Sequence, residues 1–186
     1  MKVKIGVSNR HVHLKEEDLM ILFGKPLERV RDLIQPGEYA SSFFVTLKTD
    51  KDIIEGVRVL GPIRKYSQVE ISMTDAYKLG INPPVKSSGD LVGSSSITLI
   101  GPAGEVKLEN GCIIANRHIH ITHEDRVNMG LLEVEKVKVV VDTIKGGIMD
   151  NVYLKESDNF KLEFHIDTDD ANAFLLKTGD EVTIIK

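Results

Sequence analysis

Short runs rich in β-branched and aromatic residues recur along the chain, and residues 43–47, 57–60, 96–100, 136–141 and 181–185 each read as a strand. Residues 1–7 alternate Lys with Val and Ile, as a strand with one buried face does. Gly61-Pro62, Pro83-Pro84, Gly101-Pro102 and Gly146-Gly147 punctuate these runs and predict the tight connections of small barrels or sandwiches. Helical patterns are short. They are predicted over 15–23 and 124–129, with acidic residues near the amino end where the helix dipole favours them, and over 169–176, with a shorter counterpart at 75–79. The hydrophobic pattern is that of a mainly β protein.

A long-range repeat organises these elements. Val7-Ser8-Asn9-Arg10-His11-Val12-His13-Leu14-Lys15-Glu16-Glu17-Asp18 aligns without a gap on Ile114-Ala115-Asn116-Arg117-His118-Ile119-His120-Ile121-Thr122-His123-Glu124-Asp125. A weaker match sets Val69-Glu70-Ile71-Ser72-Met73-Thr74-Asp75-Ala76 over Phe164-His165-Ile166-Asp167-Thr168-Asp169-Asp170-Ala171. Both run in the same order, so two halves of related architecture are expected.

The repeated residues have metal-binding chemistry. In an extended segment side chains at i and i+2 share a face, so His11 and His13 can aim into one cavity, as can His118 and His120. A catalytic zinc site needs three protein ligands and an open position. The second match offers a third candidate to each pair: Glu70 to the first and His165 to the second. A single His-X-His is usually exposed or satisfied in a core. Here five of the six histidines fall on repeat-matched positions, which a solvated surface does not predict. His123 matches Glu16 and reads as a surface or supporting residue, while Asn9, Asn116, Arg10 and Arg117 could orient ligands or serve structure alone. Arg58 and Arg64 lead into Glu70, and guanidinium groups near a divalent metal pair suit phosphate. The polar stretches 86–90 and 93–96 could cradle an anion with backbone N–H groups or be ordinary surface loop.

Composition narrows the setting. With 186 residues and 41% hydrophobic content, the chain can bury a sizeable core or two small ones. A net charge of −4 spread along the chain leaves no basic face for nucleic acid or an anionic membrane. One cysteine, Cys112, excludes an internal disulfide and reads as a buried structural thiol, consistent with an intracellular setting. No run approaches the ~20 apolar residues of a membrane span.

Three separated motifs carry a resemblance across essentially the whole chain. Ser8-Asn9-Arg10-His11-Val12-His13-Leu14, then Leu60-Gly61-Pro62 with Arg64 leading to Gln68-Val69-Glu70-Ile71-Ser72, then Ala115-Asn116-Arg117-His118-Ile119-His120, closely resemble the PduL-type phosphotransacylase family, also called phosphate propanoyltransferase. The resemblance implies interconversion of acyl-CoA plus phosphate with acyl phosphate plus CoA, using two zinc ions. It implies two pseudo-symmetric β-barrels capped by short α-helices with the active site between them, the first spanning 10–115 and the second 1–9 plus 116–186, the N-terminal strand crossing over. Carried over by position, the metal ligands fall on His11, His13 and Glu70 and on His118, His120 and His165, the grouping that the repeats also produce. The phosphate-handling arginine falls on Arg64, and coenzyme A contacts on or near Ser8, Arg58, Leu60 and Asn172. Acetyl- or propanoyl-CoA is the expected thioester and a homodimer the expected assembly. Many relatives carry an amphipathic extension directing them into bacterial microcompartments for propanediol degradation. This chain begins at its first strand, so a cytoplasmic role outside such a compartment is expected.

Two rival readings accompany this one: a binuclear zinc hydrolase of a thioester or phosphate ester, and a non-catalytic metal-binding β-barrel module. Phosphate dependence of CoA release separates all three.

Overall fold

The computed structural model describes residues 1–186. The chain begins with β1 (Lys2–Ser8), β2 (His11–His13), helix α1 (Glu16–Phe23), β3 (Arg29–Asp32), β4 (Tyr39–Lys48), β5 (Ile53–Gly61) and β6 (Gln68–Glu70). It continues through α2 (Met73–Leu79), β7 (Val85–Lys86), β8 (Ser95–Ile100) and β9 (Glu105–Ala115). The remaining elements are β10 (His118–Ile121), α3 (His123–Asn128), β11 (Lys136–Val141), β12 (Gly147–Glu156), β13 (Glu163–Asp167), α4 (Thr168–Phe174) and β14 (Glu181–Ile185). This is the mainly β, two-barrel architecture expected, with short helices, none of which is long and apolar enough to cross a membrane.

The chain divides into two compact units, one of residues 9–115 and the other of residues 1–8 with 116–186. In the first, β4, β5, β2, β6, β9 and β8 close on themselves, with β3 on the outer edge of β4 and β7 beside β9. In the second, β11, β12, β10, β13, β1 and β14 close in the same way. The pattern of pairing is identical. β2 runs parallel to β5 and antiparallel to β6, which runs parallel to β9; β10 runs parallel to β12 and antiparallel to β13, which runs parallel to β1. The strand leading into each histidine motif, β1 or β9, therefore belongs to the unit that does not hold that motif.

Strand alternation explains each core. Val12 lies between two histidines and Ile119 between the other two, and both are fully buried among the apolar side chains of their own barrel. Removing such a side chain from water contributes about 1.5–3 kcal/mol. Closure also removes sheet edges that would otherwise pair with other chains.

Two expected turns need correction in detail. Gly61 is the last residue of β5, so that connection begins at Pro62. Gly147 opens β12 instead of lying in a connection, and β12 contains Asn151 at φ 56°, a left-handed conformation that Asn tolerates better than most residues. The helices start from local caps. Ser72 with Asp75, and Thr122 with Asp125, form reciprocal capping boxes, and the Asp167 side chain accepts from Asp170 N–H at the start of α4.

Candidate metal centres

In the unit of residues 9–115, β2 pairs with β6 so that His11 lies opposite Glu70 and His13 opposite Gln68. In the other unit β10 pairs with β13 in the same register, with His118 opposite His165 and His120 opposite Glu163. Antiparallel pairing thus places one side chain from the neighbouring strand beside each His-X-His. Two clusters result, His11 with His13 and Glu70, and His118 with His120 and His165, and within each the potential ligand atoms lie within 4.8 Å of one another.

Hydrogen bonds decide which ring atoms face inward. His11 Nδ1 lies 2.8 Å from the Asn9 carbonyl and His118 Nδ1 lies 2.8 Å from that of Asn116, so each can donate N–H there and leave the Nε2 lone pair free. It is the asparagine main chain that holds these rings. His165 is turned the other way, with Nε2 2.6 Å from Glu163 Oε2, which leaves Nδ1 as its lone-pair nitrogen. His13 Nδ1 is buried with no hydrogen bond of ordinary geometry, the Leu60 carbonyl being the backbone group that acts on this ring, a costly arrangement for a polar atom.

The donor set and its geometry fit a divalent ion. His11 Nε2 and Glu70 Oε2 are 3.5 Å apart, close to the ~3.4 Å edge of a tetrahedron with ~2.1 Å arms. Burial pushes His13 and His118 well below the ordinary imidazole value, and nearby cationic groups, Arg64 for His13 and Lys155 for His118, push in the same direction. Neutral imidazole is the form that binds metal. The rings of His118, His120 and His165 have centroid separations of 4.8, 5.2 and 4.5 Å, so all three surround one point.

The arginines of the repeat brace the strands. Arg10 forms an ion pair with the nearly buried Asp75 of α2, and Arg117 forms a two-pronged pair with Asp170 of α4 at 2.9 and 2.6 Å. These positions match in both repeats. Each pin ties a histidine motif to the helix that follows the third ligand.

Arg64 belongs to a polar chain that leads into the first cluster. Its backbone N–H donates to the Leu14 carbonyl, one guanidinium nitrogen donates to Ser88 Oγ at 3.1 Å, and another to Glu38 Oε1 at 2.9 Å. Ser88 Oγ also accepts from Gln68 Nε2 at 2.8 Å, and Gln68 Nε2 lies 2.6 Å from Glu70 Oε1. A continuous hydrogen-bonded path therefore runs from Arg64 to the first cluster.

A sequence model of the phosphate propanoyltransferase family matches residues 4–177. A phosphate propanoyltransferase of Thermotoga maritima is 51% identical over 98% of this chain and 88% of its own length. One from Rhodobacter capsulatus is 47% identical over 99% and 86%, and one from Salmonella typhimurium 44% over 92% and 82%. The chain belongs to the phosphate propanoyltransferase family. It is an acyltransferase of the phosphotransacylase type.

The other candidate residues lie outside the two clusters. Arg58 and Leu60 on β5 pair with His11 and His13, and Arg58 donates to the Ser41 carbonyl while covering the Phe44 ring. In the other unit Ser8 ends β1 opposite Asp167, and Asn172 is exposed on α4. His123 is a surface residue paired with Glu156. Cys112 is fully buried in the first core and its thiol is pushed up to about 12 by burial. Sequence reasoning missed Glu38, Ser88, Gln68 and Glu163 as partners of candidate residues. Glu38 and Ser88 carry no periodic or repeat signal, whereas Gln68 and Glu163 sit two residues before the third ligand of each set and were legible from that spacing.

Proposed function

We propose that this protein catalyses reversible transfer of a short acyl group, acetyl or propanoyl, between coenzyme A and inorganic phosphate, using two zinc ions per chain. Membership of the phosphate propanoyltransferase family supports the reaction class. The observation that carries the metal reading is the three-ligand cluster repeated in both units, each with its potential ligand atoms within 4.8 Å of one another. His11, His13 and Glu70 would hold one ion, and His118, His120 and His165 the other. Zinc, when bound, supplies Lewis acidity toward the thioester carbonyl and affinity for a thiolate leaving group.

Arg64 binds and orients phosphate. Its guanidinium has five N–H donors, and only two of its nitrogens have one donor each engaged, with Ser88 and Glu38. The remaining donors suit the oxygens of a phosphate dianion. A phosphate oxygen forms the new bond to the acyl carbon, the carbon–sulfur bond breaks, and coenzyme A leaves as thiolate to take a proton from solvent. No protein nucleophile is required, and Cys112, protonated and buried, is unsuited to the role. Arg58 and Leu60, with Ser8 and Asn172, are the proposed contacts for coenzyme A.

The test is incubation with acetyl-CoA or propanoyl-CoA, with and without phosphate, alongside metal analysis. CoA release that requires phosphate and yields acyl phosphate is expected, with two zinc ions per chain. Release without phosphate would establish a hydrolase, and no release in either condition a binding module.

A further inference from the structure

The two clusters differ at one ligand, and a second difference accompanies it. Glu70 in one is replaced by His165 in the other, while two residues earlier on the same strand face Gln68 is replaced by Glu163. Both earlier residues are almost wholly buried, and each lies opposite the second histidine of its motif. Each makes a 2.6 Å side-chain contact with the third ligand.

The polarity of these contacts is reversed in a way that the ligand chemistry requires. A carboxylate that presents one oxygen to a cation can only accept at the other, so it needs a donor beside it. An imidazole that presents one nitrogen must carry its proton on the other, so it needs an acceptor. Gln68 supplies the donor. Its orientation is settled by its neighbours: Oε1 accepts from Gly89 N–H at 2.7 Å, which leaves Nε2 to face Glu70 Oε1. Glu70 Oε2 is then the oxygen turned toward His11. Glu163 supplies the acceptor, and the backbone makes room for it at Gly6, where a Cβ would lie 2.8 Å from Glu163 Oε1.

We infer that Gln68 and Glu163 are polarity-matched positioning residues that fix which atom Glu70 and His165 present to a metal ion. This rests on the metal reading above. It also assigns one carboxylate to each centre, bound directly in the first and acting through an imidazole in the second.

Stripping the protein with a chelator and titrating it with zinc against a chromophoric competitor tests this without reference to turnover. Glu163→Gln should weaken one of two affinities by about 10–100-fold and spare the other. His165→Glu alone should lose that ion, since two carboxylates would then face each other. The double variant Glu163→Gln, His165→Glu reproduces the Gln-X-Glu arrangement of β6 and should return within about tenfold of the wild-type affinity. That rescue would not follow from a merely structural role. Glu163→Gln affinities within about threefold of wild type at both sites, or a double variant no better than His165→Glu, would overturn the inference. Wild-type protein that binds fewer than two ions would instead overturn the metal reading itself. Should Glu163→Gln fail to fold by circular dichroism, Gly6→Ala provides a second route: it displaces the carboxylate sterically and should weaken the same single affinity, and unchanged binding in it counts against the inference.

Discussion

Replacing Arg64 with Ala isolates phosphate handling from metal binding. The side chain is about one-fifth exposed and held at Ser88 and Glu38, while its backbone bond to Leu14 survives any substitution other than proline. Two charge-assisted bonds from the free guanidinium donors to phosphate are worth about 1.5–3 kcal/mol each. Their loss should lower kcat/KM for phosphate by roughly 10²–10⁴-fold, taking about 1.4 kcal/mol per factor of ten. Arg64→Lys keeps a charge but not the planar fork and should fall between, about 10–100-fold below wild type. The assay is thiol release from acyl-CoA at saturating thioester over a range of phosphate concentrations, with zinc content measured on the same samples. An Arg64→Ala variant with phosphate kinetics within about threefold of wild type and unchanged metal content would refute the role. Loss of zinc in that variant would show that the path through Ser88 and Gln68 governs the first cluster.

Cys112→Ala should retain normal turnover while losing about 1 kcal/mol of stability in denaturant unfolding, because the thiol fills core space and stays protonated to about pH 12; abolished turnover would reinstate a covalent step. The metal-free protein should lose stability on acidification. His13 and His118 are held neutral well below 6.5, so below that value the unfolded chain binds protons that the folded chain refuses. Stability is therefore fully present above about pH 6.5 and falls by up to about 1.4 kcal/mol per pH unit for each histidine below it. Urea midpoints at about pH 7 and pH 5 check this, and equal midpoints would contradict it.

Much of the architecture was legible where strands alternate cleanly. The run over 136–141 coincides with β11 and that over 181–185 with β14, because their apolar residues enter a core on one face. β9 and β12 were missed. The first half of β9 is polar and partly exposed, and β12 contains Asp150 and Asn151 with a left-handed residue, so neither shows a sustained period of two. Their strand state comes from pairing with β8 and β11.

The candidate site divides along the same line. His11 with His13, and His118 with His120, share a face for a purely local reason, since a strand returns a side chain to the same side every second residue. The internal repeat then nominated Glu70 and His165, and the same spacing runs through Gln68 and Glu163. The groups that turn the His11 and His165 rings, the Asn9 carbonyl and Glu163, lie only two residues away and act locally. What the linear chain could not express is the register that sets His11 against Glu70 and His118 against His165. That register joins strands far apart in sequence that meet only when each barrel closes, so tertiary structure decides which side chains face each other.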